Sequence, residues 1–273
     1  MPAKAPEADQ GRAPVEFLLR LGDNALVLSH RLSEWTGHGP ALEEDIALGN
    51  IALDLLGQAR MLYSHAGQAM QPMRDEDWFA YWRDAGAFRN FTALELPNSG
   101  VHAARGAAGD YGFTIVRQAL FSAYMMVLWP MLTESEDDML AGIAMKAIKE
   151  TRYHWRHASE WMIRLGDGTE YSNQRVQAAL DSFFPYTNEW FCFDSVDCTV
   201  LWPGVGRRTE DLMAHTRENW LALLEPLWVE AKLSKPQAGQ LQTTGRFGLH
   251  GEHLSVLLGD MQSVARAHPG ATW

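Results

Sequence analysis

Read for hydrophobic and polar positions, the chain is a succession of helical stripes. Leu18, Leu21, Ala25, Leu28, Leu32 and Trp35 recur at alternating spacings of three and four, the seam of a helix packed in a bundle. TGHGP at 36–40 breaks that helix. ALEEDIALGNIALDLLGQARMLYSHAGQAM (41–70) then predicts a second, long one, with acids in its first turn where the helix dipole favours them. Residues 71–112, with Pro72, Pro97 and several glycines, read as shorter helices within a long crossover. Phe113, Val116, Leu120, Ala123, Tyr124, Val127 and Met131 share one face of a third helix, and a fourth, roughly 136–165, stops at LGDG. QRVQAALDSFF, TEDLMAHTRENWLALLEPLWVEAKL and GEHLSVLLGDMQSVARA predict three more. No stretch alternates long enough to make a strand. The expectation is an all-α protein. Residues 1–14, rich in Ala and Pro, form a disordered tail, and 15–273 form a single domain of two long hairpins joined by a crossover.

Composition narrows the classes. A net charge of −11 and the lack of any Lys/Arg block argue against a nucleic-acid binder. Eleven tryptophans and twelve methionines suit either a helical core or an interface, and core filling is the plainer use. Cys192 and Cys198, in WFCFDSVDC, have neither zinc spacing nor a second pair, so reduced thiols in a cytoplasmic protein are expected. The N-terminal segment has no apolar h-region of a signal peptide. The apolar run ALFSAYMMVLWPML is short for a membrane span and holds Pro130, so no membrane partner is expected.

Chemistry concentrates in KAIKETRYHWRHASEW (146–161). Ferritin-like di-iron proteins use Glu-x-x-His on each of two helices and one Glu from each of the other two. Here Glu150 and His154 are four apart, and the position three before His154 is Thr151. Projected at 100° per residue, Thr151 lies near the centre of the buried face, with His154 beside it and Glu150 about 100° off. Glu150 and His154 are thus expected to pair along their own helix. On the second helix Asn50, Asp54 and Gln58 form a polar line, but Asp54 is followed three residues on by Gly57, not His. On the first, Asp23 and Glu34 project to the solvent side. The third (111–133) contains no Asp or Glu, leaving Gln118 and Ser122 as neutral substitutes. Asp54, Thr151 and His154 therefore mark degenerate di-iron positions: no metal ligand set, no catalytic residue and no cofactor site is expected in this chain.

Other constellations carry less. GLHGEHL places His250, Glu252 and His253 at a helix entrance without the spacing of a zinc helix. Arg207 and Arg208 in PGVGRR offer an anion contact on a turn. There is no Gly-x-Ser-x-Gly elbow and no phosphate loop.

LRLGDNALVLSHRLSEWTGHGPALEEDIALGNIALDLLGQARMLY, KAIKETRYHWRHASEWMIRLGDGTE and GLHGEHLSVLLGDMQ resemble the C subunits of bacterial phenylacetyl-CoA epoxidases, over essentially all of 15–273. The resemblance implies a ferritin-like four-helix bundle with additional C-terminal helices, in a multicomponent monooxygenase of aerobic phenylacetate degradation. It further implies a non-catalytic, structural subunit. The partners would be a catalytic A subunit holding the di-iron centre, a small B subunit, and a reductase with FAD and an iron–sulfur cluster. A homodimer is expected of the isolated chain. Two other readings stay open. One is a metal-dependent oxidase using Asp54, Glu150 and His154; the other is a chain whose 71–112 segment and Arg207–Arg208 wall a substrate or CoA channel.

Overall fold

The computed structural model describes residues 12–102, 104, 106–202 and 208–271. Residues 1–11 of the expected tail lie outside them. Residues 12–14 are packed: Ala13 is buried and its N–H donates to Asp137 at 2.8 Å. Arg207 also lies outside the described residues.

Four long helices form the ferritin-like bundle: α1 (Val15–Ser33), α2 (Leu42–Gln68), α5 (Tyr111–Leu132) and α6 (Asp138–Gly166). Short α3 (Glu76–Tyr81) and α4 (Thr92–Glu95) lie in the crossover. Four more helices follow: α7 (Glu170–Phe183), α8 (Ser195–Leu201), α9 (Thr209–Glu230) and α10 (Glu252–Ala267). No strand occurs among the described residues; Thr244 and Leu249 form one isolated bridge. The chain is all-α, as the stripes predict.

Local signals account for the boundaries. Asp110 caps α5 by accepting from Phe113 N–H, and Asp137 caps α6 by accepting from Met139 and Leu140 N–H. Thr169 and Ser172 make a reciprocal capping box for α7. A Cβ on Gly166 would stand 2.1 Å from the Ala231 carbonyl oxygen. The glycine of LGDG thus lets the end of α6 touch the end of α9.

α1 packs on α2 and α5 on α6 as two hairpins, which meet where α2 lies against α6. α7 and α9 cover α5, α8 sits against α1 and α5, and α10 closes over α3 and α4. This outer layer carries three tryptophans into the core. Trp190, Trp220 and Trp228 are almost wholly enclosed; Trp220 stacks on Phe184 at 5.6 Å, and its ring N–H donates to the Leu120 carbonyl at 3.0 Å. α5 is longer than its apolar run suggested. Its 22 residues are long and apolar enough to cross a membrane, but 83% of its most apolar window is buried inside the protein.

α1 departs from the projection. It is buried on nearly every side between Phe17 and Leu32, because the crossover and α8 cover the face opposite α2. Asp23, expected at the solvent, is completely enclosed. Its carboxylate accepts from Tyr63 Oη at 2.5 Å, from Arg89 N–H at 2.7 Å and from both terminal nitrogens of Arg83. Burial works against the charge on Arg83, but Asp23 and Tyr63 outweigh it and hold the guanidinium above its ordinary pKa. Glu34 is exposed as expected, and accepts from Arg31 and Asn98.

Candidate functional site

The bundle interior is where a ferritin-like protein would hold its metal, and the expected positions lie on α2 and α6, the helices through which the two hairpins meet. These two helices run antiparallel and are joined by polar pairs. The imidazole Nε2 of His154 lies 3.0 Å from the Asp54 carboxylate, and the Gln58 amide donates to Glu150 at 2.9 Å. One turn on, His157 Nε2 lies 2.8 Å from Glu44, which also accepts from Tyr111 Oη at 2.5 Å. Lys146 approaches Glu150 at 3.4 Å.

Glu150 and His154 therefore do not pair with each other, contrary to expectation. Both point off the side of α6 that meets α2, and each finds a nearer polar group across the seam than along its own helix. Thr151 and His154 are buried, as projected, whereas the Asp54 side chain is 37% exposed and lies at the edge of the bundle. The polar line of α2 supplies Asp54 and Gln58 to the seam, whereas sequence reasoning missed Glu44 and His157 as seam members. The signal was present: Glu150, His154 and His157 recur at four and three, one row on one helix.

α5 supplies no carboxylate. Gln118 donates to Ser122 at 3.1 Å; both are buried, and the Gln118 carbonyl oxygen has no hydrogen-bond partner. The helix buries a cation instead. Arg117 donates to the Leu96 carbonyl at 2.7 Å and to the Asn98 side chain at 2.5 Å. Burial, with some help from Arg31, pushes its pKa down to about 9.

These donors do not fit a di-iron carboxylate centre. Such a centre takes about six protein ligands from four helices. Here Gly57 and Thr151 stand at a histidine and a glutamate position, α5 offers an amide and a hydroxyl, and Asp54 and His154 are engaged with each other. Among the described residues no three His, Cys, Asp or Glu side chains gather to hold a metal ion.

The remaining candidates are tied into the fold. His250 lies 2.9 Å from Glu95 and 3.0 Å from the Phe88 carbonyl, anchoring the entrance to α10. Arg208 pairs with Asp211 on the surface. Cys192 and Cys198 are free thiols. The crossover does wall a cavity, of about 530 Å³, with Trp35, Pro97, Asn98, Gly109, Glu252 and His253 among its lining.

The chain belongs to the phenylacetic acid catabolic protein family, whose profile matches residues 1–273. Within that family the chain is 42% identical over 257 residues to the C subunit of the 1,2-phenylacetyl-CoA epoxidase of Escherichia coli (strain K12), covering 94% of this chain and 98% of that one.

Proposed function

We propose that this chain is the non-catalytic, structural subunit of a phenylacetyl-CoA epoxidase in aerobic phenylacetate catabolism. It pairs with a di-iron A subunit and holds that subunit's helices in working geometry. The observation that carries this reading is the seam. The positions that bear ligands in a di-iron bundle carry side chains bonded to one another, or neutral ones, so the bundle shape persists without a donor set. The epoxidation chemistry then belongs to the A subunit, with electrons supplied by a reductase bearing FAD and an iron–sulfur cluster, and with a small B subunit in the complex. In isolation the chain forms a homodimer.

A face suited to the partner lies on the outside of the first hairpin. Leu42, Ile46 and Leu53 are 72%, 56% and 66% exposed along one row of α2, and a groove of about 370 Å³ opens beside them, lined by Ser29, Ser33, Gly49 and Leu56. An exposed apolar row beside a groove marks an interaction surface. Turnover of phenylacetyl-CoA by the A subunit, measured with and without this chain, tests the role. The account expects stimulation; equal rates would end it. The competing oxidase reading, built on Asp54, Glu150 and His154, requires stoichiometric iron on this chain that is lost in His154→Ala.

A further inference from the structure

The cavity walled by the crossover shares no lining residue with the seam or with the groove beside α2. At about 530 Å³ it has the size of a small-molecule site. Its walls come from three parts of the chain: the end of α1 with the turn after it, the loop joining α4 to α5, and the first turns of α10.

Each wall is fixed from behind. The Trp35 indole donates to Thr114 at 3.0 Å and meets the Tyr111 ring edge-on at 5.7 Å. The loop is tied at its neck, where Asp110 N–H donates to the Asn98 carbonyl at 2.8 Å. It then lies on the indole, for a Cβ on Gly109 would stand 2.9 Å from the Trp35 ring. α10 is held by Arg31, whose Nη2 donates to the Glu95 carbonyl at 2.6 Å and to the His253 carbonyl at 3.3 Å. Walls ordered in advance lose little freedom when a ligand enters.

The lining divides by chemistry. Trp35, Pro97, Ala107 and Val256 give apolar surface for a planar ring. The charged members are Arg31, Glu34 and Glu252, one cation against two carboxylates. Arg31 is answered on the spot: its Nη1 donates to Glu34 at 2.5 Å, and its other nitrogens donate to backbone carbonyls. Glu252 has no ion pair or hydrogen bond among the described residues. As the first residue of α10 it suits the helix dipole, which leaves the carboxylate free to take a partner from the cavity. His38 adds an acceptor. Its Nδ1 lies 3.1 Å from the Thr36 carbonyl, which can only accept, so Nδ1 carries a proton and Nε2 is open. Arg117, the other cation nearby, stands behind Asn98, to which it donates, and does not line the cavity. The unspent groups are chiefly acceptors, with one net negative charge.

We propose that this cavity is a binding site for a small aromatic amine, its ring against Trp35 and its ammonium toward Glu252 and Glu34. The same charge balance turns away the phosphates of CoA, so the cavity is no CoA channel. The proposal does not depend on the subunit role above.

Isothermal titration of the isolated full chain at pH 8 with tryptamine, and with its isosteric acid indole-3-propionate, tests it. Tryptamine is expected to bind one per chain with a dissociation constant below about 1 mM, and the acid at least ~10-fold more weakly. Glu252→Lys, at an exposed position, is expected to reverse that preference. Val256→Trp and Ala107→Trp fill the cavity from different walls, and each is expected to abolish binding without shifting the circular dichroism melt. If one of the three variants does not fold, the other two still decide. No saturable tryptamine binding overturns the proposal, as does equal affinity for amine and acid. Tryptamine binding untouched by the variants overturns it too, because the ligand then sits elsewhere. Binding of CoA that tryptamine displaces overturns it as well, and gives the cavity to the channel reading.

Discussion

Asp23 is the residue at which projection from the sequence fails most plainly. A single helical wheel knows one apolar face, whereas α1 is enclosed by α2 on one side and by the crossover and α8 on the other. The second face is polar because Asp23 receives Arg83, Tyr63 and Arg89, groups from distant segments that no local pattern reveals. Removing one member of a buried ion pair strands the other charge, which costs about 3–5 kcal/mol. Arg83→Met should lower unfolding free energy by about that amount in a urea titration, with the Asp23 carboxylate as the group left uncompensated. The α2–α6 pairs are more exposed, so Asp54→Asn should cost only about 1 kcal/mol or less. Here the sequence was more informative. Thr151 at the core position, Gly57 in place of a histidine and the acid-free α5 were legible from spacing alone, since each concerns which residue occupies a face. Which partner Glu150 and His154 choose was not legible, because that depends on how close α2 approaches.

At the scale of elements, the long helices follow their stripes to within a few residues, since periodic burial and capping act locally. α8 was missed because seven residues give too little periodicity, although Asp194 and Asp197 form a capping box that DSVD could have signalled. The attachment of α10 carries a pH dependence. Burial works to lower the pKa of His250, but the hydrogen bonds to Glu95 and the Phe88 carbonyl outweigh it and raise the pKa above its ordinary 6.5. A raised folded-state pKa means that this stabilisation is fully present below pH 6.5. It is lost as pH rises through the folded value. Amide exchange in α10, corrected for intrinsic rate, should therefore speed up as pH is raised above 6.5 and through the folded-state value. His250→Asn should exchange fast at both ends of the range.

For the whole molecule, α7, α8, α9 and α10 lie against α1, α5 and the crossover and leave exposed apolar residues on α2 and exposed charges on α6. Leu53→Asp on α2 adds charge at an exposed site, so the chain should stay folded while its affinity for the A subunit falls at least ~10-fold, read by titration calorimetry. The family resemblance named the partner and the pathway; spacing named neither, because an assembly is written on surfaces whose complement is another chain. The central claim is that the degenerate interior carries no chemistry. The most direct measurement is phenylacetyl-CoA turnover by the reconstituted complex containing the double variant Asp54→Asn/His154→Gln of this chain. The account predicts wild-type turnover once the variant is shown to pair with the A subunit. Turnover abolished in a complex that still assembles would contradict it.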